Sequence, residues 1–312
     1  MNELKSTREA FGFALLELAK EGLDVVAVTA DTSKSMGVNL LKSEYPERCF
    51  DCGIAEQNMM MIAAGLASAG KISFAISYSV FTSMRALEQL RTFICYPNLN
   101  VKIIAGLGGF SAGIEGVTHV ALEDLGIVRC IPNLIVANPA DYYSAINIIK
   151  ELAKINKPAY IRLGRDPSPV IFDDKYPFKI GKANVVLDSG DDIGIITSGI
   201  ILTEVLPAVN ELIDKGMKIK LLEFPTLKPI DEEAIINLAK KSRKLITIEE
   251  HNIIGGLYSV ASDILCLHYP KQVYPIAVPD IFTESGLPKD LRQKYKLDYE
   301  NIINKILEIS LY

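Results

Sequence analysis

The sequence predicts an α/β protein of two domains, each with a mostly parallel sheet flanked by helices. Apolar runs of strand length alternate with helical patterns along most of the 312 residues, and such alternation is typical of parallel sheets covered on both faces. The alternation stops once, in a Pro-rich segment without periodicity, and then restarts. We therefore predict a first domain over residues 1–165, a linker over 166–180 and a second domain over 181–312.

The first domain is predicted to begin with a helix. Ser6 and Glu9 have the spacing of a capping box, and Gly22 ends the helical pattern. Strands are then predicted over 24–30, 72–77, 101–105, 134–137 and 159–163, and helices over 55–69, 83–94 and from 140 onward. A glycine-rich stretch over 106–116 follows the third of these strands.

The second domain repeats the pattern. Strands are predicted over 193–197, 219–224, 245–249 and 273–278, with helices between them. A last helix over 298–309 carries its apolar residues on one face.

Composition narrows the class of function. The chain is 49% hydrophobic and 23% charged, as globular proteins are, and its net charge of −5 gives no basic stripe for nucleic acid or an anionic membrane. No apolar run approaches the roughly 20 residues that span a bilayer, and no signal-peptide core is present. Cys49 and Cys52 form a C-x-x-C without a second ligand pair, so we predict ordinary strand or core residues and no metal site. These features predict a cytoplasmic protein.

The candidate site is predicted at one edge of the first sheet, because ligands of open parallel sheets bind beyond the carboxyl ends of strands. Five segments of the first domain lie at such ends: 31–35, the turn before 56, 77–81, 106–119 and 162–165.

Glu56 opens a helix whose following residues, 59–66, are almost all apolar. A carboxylate in such surroundings, with no Lys or Arg nearby in sequence, tends to hold its proton, as acid–base groups of active sites do. A Glu in a first helical turn can also simply complement the helix dipole, and composition alone favours that second interpretation.

The string G-I-A-E-Q-N-M at 53–59, followed by A-A-G-L-A at 63–67, resembles the pyrimidine-binding domain of transketolases. The resemblance continues through Y-S-V-F at 78–81, R-x-x-x-Q-L-R at 85–91, G-x-x-G-x-T-H at 113–119 and R-x-I-P-N at 129–133. Residues 193–309, with E-E-H-N at 249–252 and F-T-E-S-G at 282–286, resemble the C-terminal α/β domain of the same family. The family's G-D-G motif with a downstream Asn, which binds the cofactor's diphosphate and metal, does not occur in this chain.

The resemblance implies the C-terminal half of a split transketolase that transfers a two-carbon ketol unit from a ketose or its phosphate to an aldose or its phosphate. The implied cofactor is thiamine diphosphate, with a divalent metal, Mg²⁺ or Ca²⁺, bound by a partner chain. That partner is an N-terminal, pyrophosphate-binding subunit in an α2β2 heterotetramer, and the substrates are small sugar phosphates.

The resemblance also implies roles for residues at the cofactor. Glu56 matches the catalytic carboxyl group that hydrogen-bonds N1′ of the aminopyrimidine, so that the ring's 4′ nitrogen can take the proton from C2. Phe81 matches the aromatic residue that stacks on the pyrimidine, with Tyr78 beside it and Ile54 as an apolar wall. Asp31 matches a residue near the cofactor.

On the substrate side, His119 matches a catalytic histidine that contacts the donor sugar. Arg8, Ser35 and Arg165 match residues that hold the terminal phosphate, and two guanidinium groups with a hydroxyl suit an anion.

Three residues depart from the family pattern on this side. Glu115 stands where an Asp reads the acceptor's C2 hydroxyl, Leu107 replaces a second phosphate-binding histidine, and Val120 replaces a Gln. The cofactor side is therefore expected to be intact and the acceptor side altered.

Three alternatives remain open. The β subunit of a 2-oxoacid dehydrogenase has the same domain pair, but it normally reads E-Q-G-I after the catalytic Glu and carries paired histidines. A deoxyxylulose-phosphate-synthase-like subunit would belong to a family that is normally one full-length chain. A non-catalytic assembly subunit would not need Glu56, Phe81 and His119.

Overall fold

The computed structural model describes residues 3–311; the outermost predicted domain bounds, 1 and 312, lie outside this range. The first part of the chain contains, in order, β1 (Leu4–Lys5), α1 (Thr7–Lys20), β2 (Val25–Thr29), α2 (Asn39–Glu44), β3 (Cys49–Asp51), α3 (Glu56–Ser68), β4 (Ile72–Tyr78), α4 (Leu87–Gln89), β5 (Val101–Gly106), α5 (Asp124–Arg129), β6 (Ile135–Ala137), α6 (Tyr142–Ala153), β7 (Ala159–Arg162) and β8 (Ser168–Pro169).

The second part restarts after residue 180. It contains, in order, β9 (Asn184–Asp188), β10 (Ile193–Thr197), α7 (Leu202–Asp214), β11 (Ile219–Glu223), β12 (Thr226–Lys228), α8 (Glu232–Lys241), β13 (Lys244–Asn252), α9 (Leu257–His268), β14 (Val273–Val278), α10 (Pro288–Lys294) and α11 (Tyr299–Leu311). Short 3₁₀ segments cover Pro46–Arg48 and Phe110–Glu115.

Two sheets organise the chain, and the predicted two-domain α/β fold is confirmed. The first has seven strands in the order β12-β6-β7-β5-β4-β2-β3, and only the β12–β6 pair is antiparallel. The second has five strands in the order β14-β13-β10-β11-β9, and only the β11–β9 pair is antiparallel.

The first sheet is covered on both faces. Alternate residues of β2 point to opposite sides: Val25 and Ala27 join the core under α1 and α6, whereas Val28 joins the core under α3. The predicted capping box is present at α1, where the Ser6 hydroxyl accepts from Glu9 N and the Glu9 carboxylate accepts from Ser6 N. Because buried strands leave little room for polar groups, polar side chains collect at the strand ends.

The structure differs from the sequence prediction at several elements. Instead of one regular helix over 83–94, wide π-type turns at Phe81–Arg85 and Leu90–Cys95 flank the short α4. Strands β3, β9 and β12 were not predicted, and β12 follows the predicted linker yet completes the first sheet. Strand β8, inside the predicted linker, pairs with β1. Strands of two to five residues carry too little periodicity to be recognised from sequence.

Residues 3–311 contain neither a membrane-spanning helix nor a cluster of metal-ligating side chains. None of their helices combines the length and the apolar character needed to cross a bilayer. Their His, Cys, Asp and Glu side chains form no group of three or more that could hold a metal ion.

Candidate active site

The parallel register of the first sheet brings several loops to one edge. Thr29, the last residue of β2, lies beside Ile76 of β4, and Tyr78, the last residue of β4, lies beside Gly106 of β5. The segments that follow these strand ends carry most of the residues predicted for the site.

Glu56 is the first residue of α3 and is 2% exposed. Its Oε2 accepts a hydrogen bond from Arg85 Nη1 at 2.8 Å, and its Oε1 lies 3.4 Å from the Ser77 hydroxyl. The expectation of a carboxyl group without a cationic neighbour is therefore wrong, because the chain brings Arg85 to it from 29 positions away. Sequence reasoning missed this role for Arg85, although the residue opens the R-x-x-x-Q-L-R string.

Aromatic rings continue the site from this ion pair. The Arg85 guanidinium carbon lies 4.0 Å from the centre of the Phe81 ring, a cation–π distance. Phe81 meets the His119 ring edge-on at 5.1 Å, and Tyr78 lies 6.0 Å from His119 and 6.1 Å from Phe81. The structure thus brings together four residues predicted at the cofactor or donor sugar, namely Glu56, Tyr78, Phe81 and His119.

A polar side adjoins Tyr78. The Tyr78 hydroxyl donates to Ser35 Oγ at 3.1 Å, and Arg8 Nη1 donates to the Ser35 carbonyl oxygen at 2.9 Å. The predicted phosphate-binding residues Arg8 and Ser35 are therefore neighbours of the aromatic group.

Arg165 and Glu115, both predicted to contact substrate, pair with each other through Nη1 and Oε1. Reciprocal hydrogen bonds between Thr7 and Gly164, at 2.8 and 3.2 Å, join the chain just before Arg8 to the chain just before Arg165. Arg165, the third residue predicted to hold the phosphate, therefore follows a segment that is hydrogen-bonded to the segment before Arg8. Its guanidinium is paired with the Glu115 carboxylate.

The two apolar departures are part of the core. Leu107 is 3% and Val120 is 6% exposed, and both pack in the cluster that also contains α1. These positions offer hydrocarbon to the interior and no polar group to a ligand.

Asp31 has a left-handed backbone, with φ 58°, which is uncommon for a residue other than glycine and concentrates at functional sites. Asp51 holds this turn, since its Oδ1 accepts from Asp31 N at 2.9 Å and from Gly53 N at 3.0 Å. Partial burial acts to raise the pKa of Asp51, but these backbone N–H groups and nearby hydroxyls keep it below its usual value. Sequence reasoning missed Asp51. Ile54, the predicted apolar wall, is 76% exposed on the surface of the chain.

A parallel-sheet domain with a buried carboxyl group, aromatic rings and a histidine converging beyond its strand ends is of the class that binds small molecules or cofactors. Residues 4–169 match the family model described as transketolase, pyrimidine binding domain, and residues 181–302 match the one described as transketolase, C-terminal domain. The chain belongs to the transketolase family, and the resemblance seen in the sequence is confirmed.

Similar proteins cover nearly the whole chain. A putative transketolase C-terminal section from Methanocaldococcus jannaschii is 40% identical over 97% of this chain and 96% of its own length. A 6-deoxy-6-sulfo-D-fructose transketolase subunit from a Clostridium species is 35% identical over 97% of this chain and 94% of its own length. A solved structure described as a split gene transketolase, inactive beta4 tetramer, has 40% identity and a TM-score of 0.90, with 98% of both chains covered.

Transketolases as a family use thiamine diphosphate, and the residues present fit its pyrimidine half. Phe81 is partly buried and presents an aromatic ring of the kind on which a flat heterocycle stacks, with the Arg85 guanidinium carbon 4.0 Å from the ring centre. Among the side chains of residues 3–311, Oε1 of Glu56 has a hydrogen-bond contact only with the Ser77 hydroxyl, at 3.4 Å, which leaves it able to engage a ring nitrogen. Within 3–311 no acidic cluster suits the metal of the diphosphate half.

Proposed function

We propose that this chain is the C-terminal subunit of a two-chain transketolase, which moves a two-carbon ketol unit from a ketose or ketose phosphate to an aldose or aldose phosphate. The observation that carries the proposal is the contact series from Glu56 through Arg85 and Phe81 to His119, in a chain that lacks the G-D-G motif. In this proposal Glu56 is the acid–base group, Phe81 is the stacking surface, and the His119 imidazole contacts the sugar.

When bound, thiamine diphosphate supplies the carbon nucleophile for the ketose carbonyl. Glu56 holds or releases a proton at N1′ of the pyrimidine, and its burial at the start of the apolar helix α3 keeps water from competing for that proton. Phe81 and Tyr78 orient the ring by stacking, with Ile54 as the apolar wall and Asp31 close by. His119 exchanges a hydrogen bond with a hydroxyl of the donor sugar.

Arg8 and Ser35 bind the anionic end of the substrate in this proposal. Arg8 is partly buried and shares Ser35 as a hydrogen-bond partner with Tyr78, and charge-assisted hydrogen bonds from guanidinium to phosphate are among the strong ones. Arg165 also binds the anion in this proposal, because an incoming anion competes with Glu115 for the Arg165 guanidinium. Glu115 is then free to contact the acceptor. The Clostridium relative is named for a sugar with a sulfonate at its terminal carbon, so an anionic sugar end is consistent with this arrangement.

A partner chain completes the site in this proposal. It is an N-terminal transketolase subunit that binds the diphosphate and Mg²⁺ or Ca²⁺, in an α2β2 assembly. Two observations support it: residues 3–311 offer no metal-ligand cluster, and the similar solved structure is described as an inactive tetramer of beta chains.

Calorimetry tests the proposal directly. The chain alone is expected to bind thiamine diphosphate weakly or not at all, with or without Mg²⁺, whereas the chain mixed with an N-terminal transketolase subunit binds with metal dependence and transfers ketol units. Screening ketose donors against aldose acceptors identifies the substrates. Tight metal-dependent binding by the chain alone would contradict the two-chain proposal.

A further inference from the structure

The glycine-rich loop, defined here as residues 107–119, connects β5 to the segment before α5 and carries both Glu115 and His119. Its backbone is left-handed at Leu107, Gly109 and Gly116, with φ of 61°, 62° and 77°. Glycine adopts such angles freely, but at Leu107 the conformation costs energy that surrounding contacts must offset.

The C-terminal domain supplies those contacts through a buried ion pair. Glu250, at the end region of β13, is 3% exposed; its Oε1 accepts from Phe110 N at 2.9 Å and its Oε2 accepts from Arg292 Nε at 2.6 Å. The Phe110 ring stacks on Tyr295 at 5.6 Å, with 18° between the planes. Each carboxylate oxygen of Glu250 therefore accepts a hydrogen bond, one from the glycine-rich loop and the other from α10.

The C-terminal domain also packs closely against two glycines of the loop. The Gly113 carbonyl oxygen accepts from Gly286 N at 2.9 Å. A Cβ on Gly113 would lie 2.5 Å from Gly286 O, and one on Gly116 would lie 2.4 Å from the Ser285 hydroxyl. The far end of the same loop places the His119 ring against Phe81.

We propose that Glu250 and Arg292 are positioning residues, through which the C-terminal domain fixes the glycine-rich loop and hence His119 and Glu115 at the site. This inference rests on the proposed function only for its kinetic consequence; the mechanical link from Glu250 to the loop stands on the contacts above. It assigns the second domain a part in the site although none of the residues predicted for catalysis lies in that domain.

The variant that tests the link is Glu250→Gln. Phe110 N–H and Arg292 Nε–H are both donors, and a glutamine amide offers one acceptor oxygen and one NH₂ group, so one donor must lose its partner. The matched control is Glu223→Gln, which changes another fully buried carboxyl group of the same domain whose side-chain partners, Tyr176 and Asn184, lie outside the loop.

Hydrogen exchange of the full chain, followed by mass spectrometry, needs no cofactor or partner. Loss of a charge-assisted hydrogen bond is expected to speed exchange of the peptide covering 107–119 by about 10-fold or more, with β5 unchanged. The Glu223→Gln control is expected to leave exchange of this peptide as in the wild type. Unchanged exchange in Glu250→Gln would overturn the proposal.

Kinetics of the assembled enzyme separates positioning from a general loss of folding. Glu250→Gln is expected to lower kcat/KM for the ketose about 10-fold or more, while deuterium exchange at C2 of the cofactor, the step assigned to Glu56, stays at the wild-type rate. In a His119→Ala background the same substitution is expected to change kcat/KM for the ketose little, because the loop residue assigned to the donor sugar is already absent and Glu115 is assigned to the acceptor.

Two results would overturn the kinetic part: equal loss of C2 exchange and kcat/KM, or a full additional loss in the His119→Ala background. Failure of the proposed function is a separate result, because a wild-type assembly without ketol transfer leaves the hydrogen-exchange comparison intact.

Discussion

Replacing Glu56 by glutamine is expected to abolish turnover of the assembled enzyme while leaving the fold nearly unchanged. Glutamine keeps an oxygen for Arg85 Nη1, and its amide group can donate to the Ser77 hydroxyl 3.4 Å away. The folding loss is limited to exchanging a charge-assisted hydrogen bond for a neutral one. Because the Arg85 side chain is 46% exposed, we expect about 1 kcal/mol of stability or less.

The catalytic loss is expected to be far larger. Glutamine cannot share a proton with N1′ of the pyrimidine, and general acid–base groups contribute ~10²–10⁴-fold to rate. One kcal/mol of stability corresponds to only about a fivefold change in an equilibrium constant, so the two effects cannot be confused.

The assay is hydrogen–deuterium exchange at C2 of the bound cofactor, measured in wild-type and Glu56→Gln complexes with the N-terminal subunit. Urea unfolding of the wild-type chain and of the Glu56→Gln chain serves as the control for stability. If the variant exchanges C2 as fast as the wild type, Glu56 is a helix-terminal carboxylate and its assignment as the acid–base group is wrong.

Three further outcomes are expected. Arg8→Ala should raise KM for phosphorylated sugars by about one to two decades, the loss of a charge-assisted contact, and should leave KM for unphosphorylated sugars nearly unchanged; equal increases would place Arg8 outside the anion site. Arg85→Met should lower the unfolding free energy by about 1–3 kcal/mol, since Glu56 would remain buried without its cation, and adding Glu56→Gln should restore part of it in urea titrations; no restoration would refute the pairing. Burial raises the pKa of Glu223 from 4.5 to about 7, so the native state keeps a proton that the unfolded chain has released. Stability should therefore fall by an amount on the order of 3 kcal/mol as pH rises from about 4.5 to 7, and less in Glu223→Gln; identical pH profiles from urea unfolding would contradict this.

Much of the site could be predicted from residues close together in sequence. Apolar runs, helix starts and glycines predict a helix from 55, a strand ending at 77 and the glycine-rich stretch before His119, and the structure begins α3 at Glu56 and ends β4 at Tyr78. Parallel strands then bring these ends to one edge, so the neighbourhood of Tyr78, Phe81 and His119 was predictable before any distance was known.

The contacts that set the charge and rigidity of the site could not be predicted in this way. Arg85, which donates to Glu56, is the last residue of a π-type turn over Phe81–Arg85, and a regular 3.6-residue period does not reveal such a turn. Asp51 orders the backbone of Asp31 through a strand of three residues, too short to recognise.

The sequence by itself determined the α/β class, the two domains and the family, because hydrophobic periodicity, helix caps and motif strings are properties of neighbouring residues. Only the tertiary structure decided that β12 completes the first sheet and that Glu250 holds the loop of His119 from 140 positions beyond Phe110. Pairings over such separations depend on how whole elements pack, and a buried carboxylate takes the donors that packing brings to it.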